Sequence, residues 1–294
     1  MDRNGYVDIH THWLVFGRDS VAIQTDLEWL EARGFEKIVV FPMPRMGTPL
    51  EKIMDLIPAY FHEMFSYDPE NTEYDDLRSW WEFQRGWLMK PHTLELISFL
   101  DIRAWNGKES LAPCWGEGHG GLKGVLIEEE DCKKMVMNPL RKSIGLSRKD
   151  YVDTQRKIFA AAEQYNVPLI YHADLNLHYE FIMECLQAYP GVRVNIPHCG
   201  MSRRKMSVLL DRFPSLFTDI ANLGPYIIKD QSSYVKFISE NADQVMLGSD
   251  AMASVDLKLS WKYIEYVSAL GLPDAIEQAV VCGTAQRFLY GGTA

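Results

Sequence analysis

The chain has little to offer a membrane or a nucleic acid. No apolar run in its 294 residues approaches the ~18 needed to cross a bilayer. Its opening residues, Met1-Asp2-Arg3-Asn4-Gly5, lack the apolar stretch of a signal peptide. A basic surface is missing as well. The net charge is -10, which argues against binding a phosphate backbone. Cysteine is sparse and scattered: Cys114, Cys132, Cys185, Cys199 and Cys282 are odd in number and form no Cys-x-x-Cys. Free thiols in a reducing cytoplasm are the natural reading. The expectation is a cytoplasmic protein whose partner is a small molecule.

What is present is apolar residue enough for a large core, 47% of the chain, laid out in short runs. Tyr6–Ile9, Lys37–Phe41, Leu96–Ile102, Gly121–Ile127, Pro168–His172, Val192–Ile196, Leu216–Asp219 and Val245–Gly248 are too short for buried helices and read as strands. Helical patterns separate them, over residues 20–33, 151–165, 178–189, 201–213 and 234–241. Three more follow the last strand, over 257–270, 274–281 and 284–289. Residues 104–120 read as loop, and 128–148 as a charged, irregular segment. Strands alternating with helices predict class α/β and a closed (β/α)8 TIM barrel, one domain over residues 1–294. Residues 49–90 break the rhythm with dense aromatics, among them Trp80, Trp81 and Trp87. They predict a helical insertion after the second strand, covering the site or packing on the barrel wall or on the second subunit of a homodimer.

In such a barrel, chemistry sits at the C-terminal ends of the strands. Asp8-Ile9-His10-Thr11-His12 ends the first strand, and residues two apart point to one side of a strand. His172, His198 and Asp250 follow the fifth, sixth and eighth. Closure makes strands one and eight neighbours, so Asp250 approaches the His10/His12 pair. Each residue alone has an ordinary role: His172 and His198 as core histidines, Asp250 as a helix N-cap. Together they make a ligand set. Neutral imidazoles and one carboxylate suit Zn2+, with Mn2+, Fe2+ or cobalt as alternatives. His10, His12 and His172 would supply nitrogen and Asp250 oxygen. A metal lowers the pKa of its water from about 15.7 to about 7. Asp250 would also accept the water's proton, while His198 polarises a substrate oxygen or moves a proton. Asp8 would orient a ligand by hydrogen bonding. Cys199, beside His198, is a small buried filler or, less simply, a nucleophile.

These segments resemble the amidohydrolase superfamily, in particular its amidohydrolase-related (amidohydrolase 2) branch of metal-dependent TIM-barrel hydrolases and decarboxylases. The resemblance rests on Asp8–His12, Val167–Ala173, Pro197–Gly200 and Met246–Asp250, supported by Phe217–Asp219 and Gly283–Leu289, and it runs in order over nearly the whole chain. It implies one divalent metal, usually zinc, held by the residues matching His10, His12, His172 and Asp250. It gives the residue matching His198 an acid–base or polarising role. Other branches carry a carbamylated lysine after strand four. Lys123 stands at the start of that strand, which favours a single metal, and Glu128 at its end is the candidate for a second. Met201, Ala251-Met252 and Thr284 depart from the common pattern without touching a proposed ligand.

The first expectation is therefore hydrolysis of an amide, ester or lactone carbonyl by metal-bound hydroxide. Non-oxidative decarboxylation of an aromatic or unsaturated acid is the alternative, and a binding barrel that has lost activity is the third reading. Trp13, Arg45 and Arg103 are the candidate substrate contacts. The arginines would meet a carboxylate or phosphate, and Trp13 a planar or apolar group.

Overall fold

The computed structural model describes residues 5–13, 20–42, 94–112, 118–135, 139–253 and 255–292. The elements in order are β1 (Tyr6–His12), α1 (Ser20–Glu31), β2 (Phe35–Phe41), β3 (Glu95–Asp101), β4 (Gly121–Val125), α2 (Glu129–Met135), α3 (Leu140–Ser143), α4 (Arg148–Tyr165) and β5 (Leu169–His172). They continue with α5 (Leu175–Ala188), β6 (Val194–Ile196), α6 (Arg203–Arg212), β7 (Leu216–Asp219), α7 (Gly224–Lys229), α8 (Gln231–Glu240), β8 (Val245–Met246), β9 (Ala251–Met252), α9 (Leu259–Ala269), α10 (Asp274–Gln278) and α11 (Thr284–Tyr290). The expected insertion over 49–90 and Arg45 lie outside the described residues.

All pairings are parallel, in the order β8-β7-β6-β5-β4-β3-β2-β1-β9. β8 and β9 are two halves of one interrupted strand. The first half bonds to β7 through Asp219↔Met246 and the second to β1 through Thr11↔Ala251. Between them the Ile9 amide donates to the Leu247 carbonyl at 3.2 Å and the Asp250 amide to the His10 carbonyl at 2.9 Å. The sheet thus curls round until its last strand meets its first, which is the TIM-barrel arrangement.

Side-chain alternation assigns the two faces of the strands. Tyr171 of β5 faces outward: its hydroxyl donates to Gln155 on α4 at 2.7 Å, and its ring lies 4.8 Å from that of Phe159. Its neighbours Ile170 and His172 therefore face the barrel interior. α4 begins where Ser147 accepts the Asp150 amide and ends at Asn166, whose left-handed φ of 51° lets the chain turn back into β5. α5 begins at Leu175, where Asp174 caps it by accepting the Asn176 amide at 2.8 Å, and it kinks at His178, the expected start. Residues 128–148, expected to be irregular, hold α2 and α3. Glu129, Glu130 and Asp131 all fall in the first turn of α2, where carboxylates favour a helix.

Candidate metal centre

Three buried features bring the site together, and the first is Asp219 at the end of β7. It is fully buried and its two oxygens serve four donors. Oδ2 faces His10 Nδ1 at 3.1 Å and accepts from Asn195 Nδ2 at 2.8 Å. Oδ1 accepts the amides of His198 at 3.1 Å and Ala221 at 3.0 Å. Burial alone would push this carboxyl up. The charge and hydrogen bond of His10, then His198 and Asn195, outweigh it and hold Asp219 well below the usual range.

The second feature is Asp8, which accepts the His10 amide at 3.0 Å and both the amide and the hydroxyl of Ser249. It ties β1 to the break in strand eight, as its expected orienting role requires. Burial pushes its carboxyl up to about 6 against the Ser249 and Ser260 hydroxyls.

The third is a pair of left-handed turns. His198 and Asp250 have φ of 57° and 62°. Non-glycine residues pay of the order of 1–3 kcal/mol for such backbone, which persists where the surroundings over-determine it. Here Asp219 grips the His198 amide, and the His10 carbonyl grips the Asp250 amide.

The result is a cluster of acceptors. One atom each from His10, His198 and Asp250 lie within 4.8 Å of one another. Asp219 holds the His10 proton on Nδ1, so Nε2 is a bare lone pair, 3.3 Å from Asp250 Oδ1. His198 Nδ1 lies 2.7 Å from the Ala221 carbonyl, which only accepts. Its proton is therefore on Nδ1, and Nε2 is bare as well. Burial lowers His10 to about 4 and lowers His12, so both rings are neutral. Asp250 is held well below the usual carboxylate range: burial raises it, but the His12 hydrogen bond and the electrostatic pull of the His10 and His198 rings prevail. Imidazole nitrogens and a carboxylate oxygen gathered this closely are a donor set that fits a cation.

Among the predicted ligands, His12 Nε2 reaches the same Asp250 oxygen at 3.1 Å. His172 packs edge-on against the His198 ring with centroids 5.2 Å apart, and it lies outside the tight group. Burial also lowers its pKa far below the ordinary value. The tight group is thus His10, His198 and Asp250, with His12 and His172 beside it. Trp13 is fully buried, and its indole nitrogen has no partner among the described residues. Arg103 grips Asp101 through Nε and Nη2, at 2.9 and 2.6 Å. Cys199 is buried with its thiol pushed up by burial, which suits a filler and not a nucleophile. Glu128 pairs with Arg148. Asp219 was given no role in advance, although it ends an apolar strand as His172 does.

Comparison with known proteins fits this geometry. A family model described as Amidohydrolase matches residues 118–290, from β4 to α11. The chain belongs to the amidohydrolase family. The matched span includes His172, His198, Asp219 and Asp250, whereas the two β1 histidines precede it. No curated protein matches this amidohydrolase. Solved structures do. A phosphotriesterase homology protein from Escherichia coli, complexed with phosphate in its active site, is 13% identical with TM-score 0.58, covering 98% of this chain and 100% of that chain. A TatD homologue from Escherichia coli is 15% identical with TM-score 0.54, covering 98% of both chains. The 4-oxalomesaconate hydratase of Rhodopseudomonas palustris is 13% identical with TM-score 0.53, covering 97% and 95%. At such identities the likeness is one of fold.

Proposed function

We propose that this amidohydrolase is a metal-dependent hydrolase that opens an amide, ester or lactone carbonyl of a small molecule. The observation that carries the reading is the inward convergence of bare acceptors from His10, His198 and Asp250. His10, His12, Asp250 and one or both of His172 and His198 would hold one divalent ion, Zn2+ or else Mn2+ or Fe2+. Such an ion supplies Lewis acidity and a water acidic enough to ionise near neutrality.

The chain's own residues do the rest. Asp250, ionised and 23% exposed, is the group able to take the proton of the attacking water. With Nδ1 turned to the Ala221 carbonyl, His198 offers its Nε2 to hold the cation or accept a proton. It donates to a carbonyl oxygen only once protonated. Asp219 and Asp8 fix the orientation of His10, the His198 turn and the Ser249-Asp250 turn, so little reorganisation is needed during reaction. Decarboxylation of an unsaturated acid would draw on the same residues, and release of carbon dioxide would assign the site to it.

The test combines metal analysis with turnover. Purified protein is expected to carry about one equivalent of transition metal, and chelation to abolish hydrolysis. D250N is expected to lower kcat by about a hundred- to ten-thousand-fold with the far-ultraviolet spectrum unchanged. Full activity in metal-free protein, or in D250N, would overturn the reading.

A further inference from the structure

Lys123 is a buried cation that the scheme above does not use. It is the middle residue of β4 and 1% exposed. Its neighbour Gly124 faces outward, since a Cβ there would meet Tyr171 and Ile158 on the helical side. Lys123 therefore faces the barrel interior, as does His172, whose partner across the ladder is Val125. Its ammonium lies 4.8 Å above the ring of Phe41. The same ring meets His10 and His12 edge-on, with centroids 5.1 and 5.4 Å apart. One aromatic ring thus separates the lysine from the metal-site histidines.

Among the described residues Lys123 makes no hydrogen bond and no ion pair, and the nearby carboxylates are already engaged. Asp101, its cross-strand partner, is held by the Arg103 fork. Asp219 serves its four donors, and Asp250 faces His10 and His12. Burial pushes the ammonium down to about 8 and Arg103 pushes the same way, against the attraction of Asp101, Asp219 and Asp250. A buried charge without a hydrogen-bonded partner is costly, and contact with one aromatic face returns only part of that cost. A chain that keeps such a group in its barrel gains from it when an anion arrives.

We propose that Lys123 is the anion receptor of this site and that the substrate carries a carboxylate beside the reacting group. The assignment rests on the hydrolase reading for the position of the reacting group. It moves recognition of the substrate's charge from Arg103, which Asp101 occupies, to β4.

Benzoate and its neutral isostere benzamide, titrated calorimetrically into the full chain before and after chelation, test the proposal. Wild type is expected to bind benzoate about tenfold or more tighter than benzamide, with the preference surviving metal removal, as a charge-assisted hydrogen bond implies. K123M is expected to lose the preference, to keep its metal content and to melt no lower than wild type, because a shape-conserving apolar side chain relieves the burial penalty. Equal binding of the two ligands by wild type, or an unchanged preference in K123M, would overturn the proposal. So would a bicarbonate-dependent second metal equivalent that K123M lacks, because Lys123 would then be a metal-site group. Failure of the hydrolase reading looks different: no metal and no turnover, with the benzoate preference intact.

Discussion

Asp219 shows how one side chain can set the chemistry of others. By accepting the Nδ1 proton of His10 it leaves Nε2 bare toward Asp250, and by accepting the His198 amide it holds a strained turn. D219N would place an amide N–H where His10 and Asn195 already donate. His10 would have to move its proton to Nε2 and would lose its ligand lone pair. The expected result is metal affinity weakened by about ten- to a hundredfold, read by competition with a chelating dye. Comparing H198N with H172N addresses the neighbouring histidines. Membership of His198 in the tight group predicts the larger loss of metal in H198N. Loss confined to H172N would return the ligand role to His172 and leave His198 as the proton carrier. The residue types at the strand ends were legible in the sequence, because polar groups closing apolar runs stand out. Which nitrogen each ring offers was not, since the tautomer depends on carbonyls and carboxylates that only the folded chain brings close. Asp101 with Arg103 is a similar case. The sequence offered Arg103 as a substrate contact, and only the folded chain shows that two of its nitrogens also grip the carboxylate two residues away.

At the level of elements, the apolar runs located the strands well, because a short run bounded by turn residues has few alternatives. Errors fell where charge was taken as a sign of irregular chain. The acidic start of α2 is a helix N-terminus, and the Asp174 cap begins α5 three residues earlier than the periodicity suggested. The break in strand eight was also hidden. Gly248 sits there in a tight place: a Cβ would come within 3.0 Å of the His10 Cβ and 3.1 Å of Asp219. G248A must push apart the two groups that shape the centre. It is expected to cost about 1–3 kcal/mol in urea denaturation and to weaken metal binding with it. Unchanged stability would show that this contact relaxes freely.

For the whole molecule, none of the described helices is long and apolar enough to cross a membrane. The centre draws on β1, the turn after β6, and the junction between β8 and β9, so it depends on the closed barrel. A ligand that binds only the folded state stabilises it, by about 2.7 kcal/mol at a hundredfold excess over its Kd. Adding Zn2+ to chelated protein is therefore expected to raise the melting temperature by several degrees. D250N is expected to show a smaller rise.

The seam between β1 and the broken eighth strand has a consequence for biosynthesis. A ribosome releases the two β1 histidines more than two hundred residues ahead of their carboxylate counterpart, Asp250. Until then the nascent polypeptide holds only half a chelate. On the metal-dependent reading, capture of the proposed cation would therefore wait for the cylinder to be sealed, which would guard an unfinished chain against trapping it in the wrong arrangement.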